Sequence, residues 1–332
     1  MQTPLPIGLI GSGKISAAFC AACRESRLFR PAAILSRTRA AGENFAAAND
    51  IPAVYTDAPA FFGCGIRAVY IASPNYAHRA QTLAALAAGL SVLVEKPAAL
   101  SRAEFDEMTA AAEKAGCLLM EGMRPLYDPI LPLLSENLPR VGKLRQVTLS
   151  YCQYSSRYDA LRRGERPNAF RPELGNAALM DIGVYPAALC VSLFGAPCAV
   201  RAASVFLENG FEGCGEALLS YPAFTVTVRY SKITEEVCPS VFLGEDGALS
   251  LYGHLNAPSR LTFTPRGGAE EEIPYAPPAQ NMVCELRAFA EALAIPPSAR
   301  IARPGRAVTG KTLALLDRIR AESGITFTPA AP

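Results

Sequence analysis

The stretch Val92-Leu93-Val94-Glu95-Lys96-Pro97 is the most informative part of the chain. A short apolar run, rich in β-branched residues, ends abruptly in an acid, a lysine and a proline. Such a run is typical of a strand buried on both faces of a parallel sheet. In open α/β sheets, ligands bind at the carboxyl ends of the strands. The stretch therefore predicts a buried parallel strand that delivers Glu95 and Lys96 to a ligand-binding edge.

Strand and helix patterns alternate through the first third of the chain. Strands are predicted at 6–10, 32–35, 54–55, 67–72, 91–94 and 117–120, with helices at 14–25, 40–49, 78–88 and 101–116. Ser101 and Glu104 have the spacing of a capping box, which predicts the start of the last of these helices. This alternation predicts an α/β fold whose N-terminal part is a Rossmann-type, doubly wound parallel sheet.

The pattern changes after residue 122. A proline-rich stretch leads into a long predicted strand at 144–156, a helix at 176–194, several alternating runs between 200 and 264, and helices at 282–293 and 308–323. Alternating apolar and polar positions indicate strands with one packed face and one freer face. We therefore predict two domains, residues 1–122 and residues 123–332, the second with a mostly antiparallel sheet.

Bulk composition excludes several classes of protein. The chain has 332 residues, half of them apolar, with a formal net charge of +2 at pH 7, so no nucleic-acid partner is indicated. No apolar run reaches the roughly 18 residues of a membrane span, and the start lacks the features of a signal peptide. Ten cysteines without framework spacing favour a reduced, cytoplasmic protein, and two distant histidines make a histidine-rich metal site unexpected, so no metal is predicted.

The turn Gly11-Ser12-Gly13-Lys14-Ile15-Ser16 follows the first strand and opens the first helix. The first glycine permits a tight turn, and the second lets the backbone approach a pyrophosphate. The N-terminus of the helix then offers free N–H groups and partial positive charge to that anion. Because the turn lies in a clear βαβ unit, we predict that it binds a dinucleotide; a purely structural turn is the alternative.

The end of the second strand bears on cofactor selectivity. An NAD site places an acid there for the ribose hydroxyls, whereas this chain has Leu35-Ser36-Arg37-Thr38-Arg39 and no acid. A hydroxyl and a guanidinium would hold a 2′-phosphate, so Ser36 and Arg37 favour NADP(H) over NAD(H). The alternatives are that both arginines are solvated loop charges, or that Arg37 stacks on adenine.

Four motifs in order resemble the glucose–fructose oxidoreductase / inositol dehydrogenase (Gfo/Idh/MocA) family. They are Gly11-Ser12-Gly13-Lys14-Ile15, Ser73-Pro74-Asn75-Tyr76-Ala77-His78, Glu95-Lys96-Pro97 and Asn176-Ala177-Ala178-Leu179-Met180-Asp181-Ile182-Gly183-Val184-Tyr185-Pro186. The last is similar to the branch of glucose–fructose oxidoreductase and dimeric dihydrodiol dehydrogenase, since other branches place a histidine where Tyr185 stands. The chain lacks tryptophan, and Asn176 and Ala177 stand where paired glycines are common, which makes aromatic diols less expected as substrates.

The resemblance implies a Rossmann domain followed by a domain with a large open sheet, through which many members form dimers or tetramers. It implies that the Lys96–Pro97 bond is cis. It also implies that the edge of the first sheet binds the cofactor through a set of residues: Gly11, Ser12, Gly13, Lys14, Ile15, Ser36, Arg37, Ser73, Asn75, His78, Glu95 and Lys96. For His78, capping of the following helix is the alternative.

Oxidation of a secondary alcohol by a nicotinamide needs a group that takes the hydroxyl proton. Asp181 and Tyr185 are four residues apart on a predicted helix, so they share a face. We predict that Tyr185 transfers the proton. The Lys96 ammonium would favour the phenolate, and Asp181 would orient Lys96 or a substrate hydroxyl. Arg124, Tyr158 and Asn168 are predicted to line the substrate pocket, with surface-loop charges as the alternative. For Tyr185 the alternative is packing on the sheet, and for Asp181 it is capping of a neighbouring loop.

These residues together predict an NAD(P)-dependent dehydrogenase or reductase that acts on a CH–OH group of a sugar, cyclitol or vicinal diol. The expected partners are a small polyol-like substrate and a second copy of the chain. Two alternatives stay open at this point. One is an enzyme of the transhydrogenase type that keeps its cofactor tightly bound. The other is a non-catalytic module that binds a dinucleotide and senses redox state.

Overall fold

The structure, a computed structural model, describes residues 3–296 and 304–327. The first part contains a parallel sheet whose strands alternate with helices, as predicted. Its strands are β1 (Leu5–Ile10), β2 (Phe29–Leu35), β3 (Val54–Tyr55), β4 (Ala68–Ile71), β5 (Ser91–Glu95) and β6 (Leu119–Gly122). Its helices are α1 (Lys14–Ser26), α2 (Arg39–Asn49), α3 (Ala58–Phe62), α4 (His78–Ala87) and α5 (Arg102–Ala115).

The strand order is β3-β2-β1-β4-β5-β6, and every neighbouring pair is parallel. Strands β4 and β5 are buried along their whole length, because helices cover both faces of the sheet. Ser101 caps α5 as predicted, since its Oγ accepts the N–H of Glu104 at 3.2 Å. The doubly wound sheet predicted from the sequence is thus confirmed, with a short helix α3 that the pattern did not reveal.

The second part is built on a larger sheet. Its strands are β7 (Leu144–Cys152), β8 (Ala199–Phe206), β9 (Glu212–Ser220), β10 (Thr225–Ser231), β11 (Ser240–Gly244), β12 (Gly247–His254), β13 (Ala257–Pro265) and β14 (Glu271–Ile273). Its helices are α6 (Ile130–Asn137), α7 (Tyr158–Arg162) and α8 (Val184–Phe194), the last preceded by a π-helical turn at Leu179–Gly183.

The order of this sheet is β14-β13-β12-β11-β7-β10-β9-β8, antiparallel except for the parallel pair β7 and β10. Residues 147, 149 and 151 of β7 point to one face and are buried, and helix α8 packs against β7 and β10. The apolar segment Pro172–Phe194 is long enough to cross a membrane, but 78% of its apolar window is buried inside the protein. It therefore serves as the core helix of this sheet.

Within the described residues, two helices follow the sheet, α9 (Met282–Ala294) and α10 (Pro304–Ser323). The described residues divide into two compact units: 3–123 with 280–296 and 304–310, and 124–279 with 311–327. The predicted boundary put all of 123–332 in the second domain, and the structure differs over 280–310. The reason is the apolar face of α9, whose Met282, Leu286 and Phe289 join the core of the first unit.

Candidate active site

The glycine turn of the first unit has the geometry that a pyrophosphate needs. Gly11 has a φ of +110°, and a Cβ there would lie 2.5 Å from the carbonyl oxygen of Ala72, so only glycine suits this turn. At Gly13, by contrast, no described atom lies within 4 Å of where a Cβ would stand. Helix α1 begins at Lys14, and no side chain of the described residues caps it. The turn is an open cradle at a helix N-terminus, which fits a dinucleotide phosphate.

The turn after β2 places a hydroxyl and a guanidinium at the surface. Ser36 is half-buried, and Arg37 is exposed and forms no ion pair with any residue that the structure describes. Arg39, in contrast, is paired with Glu43 at 3.6 Å on the first turns of α2. Arg37 is therefore the guanidinium of this turn that stays open to a ligand.

His78 connects two turns of the sheet edge. Its Nδ1 lies 2.9 Å from the carbonyl oxygen of Pro97, and its Nε2 lies 2.9 Å from the carbonyl oxygen of Ser73. Burial lowers the pKa of the imidazole, while the bonds to both carbonyls act in the opposite direction. The prediction that His78 contacts the cofactor does not agree with the structure, because the ring is 0% exposed and both nitrogens are engaged. His78 instead ties the turn after β4 to the turn after β5.

Lys96 stands where the opening stretch predicts, at the end of β5, and its bond to Pro97 is cis. Its side chain is half-buried, so it is accessible at the sheet edge. Glu95, directly before it, is buried and accepts a hydrogen bond from the Tyr70 hydroxyl at 2.5 Å. Glu95 is thereby fixed beneath Lys96. Asn75 begins the helical turn that follows Ser73 at the same edge.

A second buried acid in this unit, Glu121, was missed from the sequence. Its carboxylate accepts the N–H of Ala98 at 2.8 Å and the hydroxyl of Thr309 at 2.9 Å. Burial raises the pKa of this carboxyl to about 7, against those two hydrogen bonds, which lower it. The signal for Glu121 was the same as for Lys96: a charged residue that ends a buried strand.

Asp181 and Lys232 form the main charged pair of the second unit. Asp181 lies on the π-helical turn before α8, and its Oδ2 is 2.7 Å from Nζ of Lys232, which follows β10. The Lys232 side chain is only 3% exposed, whereas that of Asp181 is 41% exposed. The same ammonium donates to the carbonyl oxygen of Ala169 at 2.9 Å and lies 4.9 Å from the centre of the Phe170 ring. The pair holds a carboxylate with a solvent-facing side.

Tyr185 lies on the first turn of α8, four residues after Asp181, and is 5% exposed. Its ring is 5.5 Å from the ring of Tyr151, which in turn stacks on His254 at 4.9 Å. The Tyr185 ring therefore packs, at a tilt, against the stacked pair of Tyr151 and His254 within the second unit.

The predicted substrate residues fall in different places. Tyr158 lines a cavity of about 840 Å³ in the second unit, whose other lining residues include Arg162, Arg166 and Phe206. Asn168 is exposed beside that region, and Arg124 is half-buried on the helical turn before α6. The structure therefore does not gather these three residues into one pocket. Cys20 and Cys23 are buried in the core of the first unit, and burial raises the pKa of both thiols, so they are packing residues.

Comparisons with known proteins agree with this geometry. Residues 5–123 match the family described as an oxidoreductase family with an NAD-binding Rossmann fold, and residues 139–250 match the Gfo/Idh/MocA C-terminal domain. The chain is 35% identical over 320 residues to the uncharacterized oxidoreductase YgjR of Escherichia coli, covering 96% of each chain. The chain belongs to the Gfo/Idh/MocA oxidoreductase family and binds NAD(P).

Two further comparisons complete this picture. The chain is 38% identical over 283 residues to the scyllo-inositol 2-dehydrogenase (NADP(+)) IolU of Bacillus subtilis, covering 85% of this chain and 86% of that one. The fold is that of KijD10, a 3-ketoreductase from Actinomadura kijaniata solved with NADP and TDP-benzene: TM-score 0.83, 24% identity, 96% of this chain and 98% of that one. The protein is an NAD(P)-dependent dehydrogenase or reductase, and the predicted enzyme class is confirmed.

Proposed function

We propose that this enzyme transfers a hydride between NADP(H) and a secondary alcohol or the matching carbonyl of a cyclitol, sugar or vicinal diol. The observation that carries the substrate class is the Asp181 carboxylate, which is paired with Lys232 and is partly exposed. An ionised carboxylate accepts hydrogen bonds from two neighbouring hydroxyl groups but donates none. The similarity to IolU, whose name specifies an inositol and NADP(+), supports the same class.

The residues have separate roles in this proposal. A bound nicotinamide supplies the hydride acceptor or donor. Tyr185 takes the proton of the substrate hydroxyl, and Asp181 orients the substrate through its other hydroxyls. Lys96 stabilises the developing oxyanion, and Glu95 positions Lys96. We retain Arg124, Tyr158 and Asn168 as proposed substrate contacts, with Tyr158 supported by its place on the cavity.

The cofactor site comprises the turn Gly11-Ser12-Gly13-Lys14-Ile15, the Ser36–Arg37 turn, Ser73, Asn75, Glu95 and Lys96. The preference for NADP(H) is supported by the exposed Arg37, which has no ion-pair partner within residues 3–296 and 304–327, and by the absence of an acid in its turn. A 2′-phosphate would place its negative charge against this guanidinium.

Titration of the purified protein with NADPH and NADH, followed by cofactor fluorescence, tests the cofactor site. We expect tighter binding of NADPH, and binding of neither would overturn the proposal. A screen of NADP⁺-linked oxidation over inositols, aldoses, sugar acids and vicinal diols then tests the substrate class, beginning with scyllo-inositol. Protein that is isolated with bound dinucleotide, and turns over without added cofactor, would instead identify the tightly bound type of enzyme.

We also propose that the protein is a cytoplasmic homodimer or higher oligomer that assembles through the open face of its large sheet. The register places Leu218 opposite Arg201 on β8 and Thr227 on β10, so these residues share that face. Leu218 is 47% exposed and Val205, on the same face, is 55% exposed. Ten cysteines without a disulfide are in keeping with a reducing compartment. Light scattering after size exclusion tests the assembly, and a monomer would contradict it.

A further inference from the structure

We infer that Lys232 is a positioning residue, which holds the Asp181 carboxylate in the orientation that receives the substrate. This inference deepens the proposed function and rests on it for the role of Asp181. Lys232 lies outside the motifs that define the family in this chain, and 51 positions separate it from Asp181 in sequence. The geometry around its ammonium is what points to the role.

The Lys232 ammonium has two hydrogen-bonding partners and almost no access to solvent. Its Nζ lies 2.7 Å from Asp181 Oδ2 and 2.9 Å from the carbonyl oxygen of Ala169. It also lies 4.9 Å from the centre of the Phe170 ring and 5.4 Å from that of Phe211. Because a buried charge is stable only when it is paired and hydrogen-bonded, the ammonium is confined to this one position.

The backbone of Lys232 is fixed as well. Its N–H donates to the carbonyl oxygen of Gly213 at 2.9 Å, and its carbonyl oxygen accepts the N–H of Ser155 at 3.0 Å. The preceding Ser231 is buried, and its Oγ accepts the N–H groups of Ile233 and Thr234. A side chain anchored at both ends is a rigid support.

The position of Asp181 shows why such a support is needed. It lies on a π-helical turn, whose backbone departs from regular α-helix geometry. Such turns recur at functional sites. Its carboxylate is 41% exposed, and an ion pair with a buried ammonium restricts the rotamers that it can adopt. The buried ammonium fixes one oxygen and offsets the negative charge. The carboxylate can then accept substrate hydroxyls in one direction.

Three variants test this inference in the complete enzyme. Lys232→Met keeps the stem between Phe170 and Phe211 and removes the ammonium. Lys232→Met/Asp181→Asn removes both charges, so neither variant leaves an unpaired cation in the core. Thr234→Ala is the matched control: it removes a 2.7 Å hydrogen bond to Ser231 in the same turn but leaves the ion pair intact. If Lys232→Met does not fold, Lys232→Gln replaces it in both variants.

Kinetic constants are measured per active site, counted by NADPH titration, on the best polyol of the screen. We expect Lys232→Met to raise KM and to lower kcat/KM about 10- to 100-fold. Misplacement of a substrate-orienting group has costs of this size. Adding Asp181→Asn should cost no more than about twofold further, since Asp181 then already lacks its support. Thr234→Ala should keep kcat/KM within about twofold of the wild type.

Three results would overturn the inference: an unchanged KM in Lys232→Met, a further tenfold loss on adding Asp181→Asn, or an equal loss in Thr234→Ala. A crystal structure of Lys232→Met gives a test that does not depend on turnover. We expect the Asp181 carboxylate to turn away from its wild-type position, and a carboxylate within about 0.5 Å of that position would contradict the role. Absence of polyol oxidation by the wild type would overturn the proposed function, while the crystal structure would still decide the role of Lys232.

Discussion

The two units hold their charged residues in different ways. In the first unit the groups of the sheet edge lie on turns directly after β1, β2, β4 and β5, so each is local to a strand end. In the second unit, Asp181 is held by Lys232, which follows β10, and Tyr185 packs on Tyr151 of β7. The residues that we propose for the cofactor therefore lie on local turns, whereas those that we propose for the substrate depend on side-chain pairs that are distant in sequence.

The largest expected effect concerns Lys96, the side chain of the first unit that we propose to act on the substrate. Lys96→Met should lower the rate of hydride transfer by about 10²- to 10⁴-fold, because a group that stabilises the developing charge is removed. Single-turnover absorbance at 340 nm, at saturating NADP⁺ and polyol, measures this rate. Lys114→Met, an exposed lysine at the end of α5, is the control. Equal rates in the two variants would assign Lys96 to the rim of the sheet.

A smaller effect is expected at the turn after β2. Arg37→Asp should weaken NADPH binding about 10- to 100-fold and leave NADH binding little changed or improved, since a charge-assisted bond to a 2′-phosphate is lost. Arg39→Ala, which removes a guanidinium already paired with Glu43, should change neither affinity more than about twofold. Isothermal titration with both cofactors measures the difference. If Arg37→Asp left NADPH affinity unaltered, the preference for NADP(H) would lose its structural basis.

The smallest expected effect concerns Glu121, a buried carboxyl whose partners differ from those of the buried Lys232. Lys232 has a carboxylate partner, whereas Glu121 is held by an N–H and a hydroxyl, and burial raises its pKa to about 7. A carboxyl whose folded pKa exceeds its unfolded value binds more protons in the folded state. Its contribution is therefore fully present below about pH 4.5 and is lost as the pH rises to about 7.

Glu121→Gln should accordingly raise the free energy of unfolding at pH 8 by about 1–3 kcal/mol and flatten its dependence on pH between 5 and 8. Urea unfolding followed by circular dichroism at several pH values measures this change. Glu136→Gln replaces an exposed acid on α6 and is the matched control. A variant that is less stable than the wild type at pH 8 would show that Glu121 is charged and stabilising in the folded protein.

The difference between local turns and long-range side-chain pairs also explains which parts of the structure could be predicted from the sequence. The strands, the glycine turn, the position of Lys96 and the cap at Ser101 follow from local patterns, and the structure has them within a few residues. The packing of α9 on the first unit was not predictable, because an amphipathic helix shows that it has an apolar face but not which core receives it. His78 was predicted as a ligand of the cofactor. Its two carbonyl partners come from separate turns, so no local pattern in the sequence reveals them.

The contacts of Lys232 were not predictable from the sequence either. A lone lysine after an alternating strand is usually a solvated end, and only the tertiary structure places Asp181 and two aromatic rings around it. The pairing depends on β9, β10 and the turn before α8 meeting in one place. No spacing within either segment encodes that contact.

The central claim is that Tyr185 transfers the proton when a polyol hydroxyl is oxidised with NADP⁺. The most direct test is the single-turnover rate of NADPH formation by Tyr185→Phe, with Tyr252→Phe as control, whose hydroxyl contacts Glu270 on the same sheet. We expect Tyr185→Phe to lose about 10²- to 10⁴-fold in rate with NADPH affinity unchanged, and the control to match the wild type. A Tyr185→Phe enzyme that reduces NADP⁺ as fast as the wild type would contradict the account.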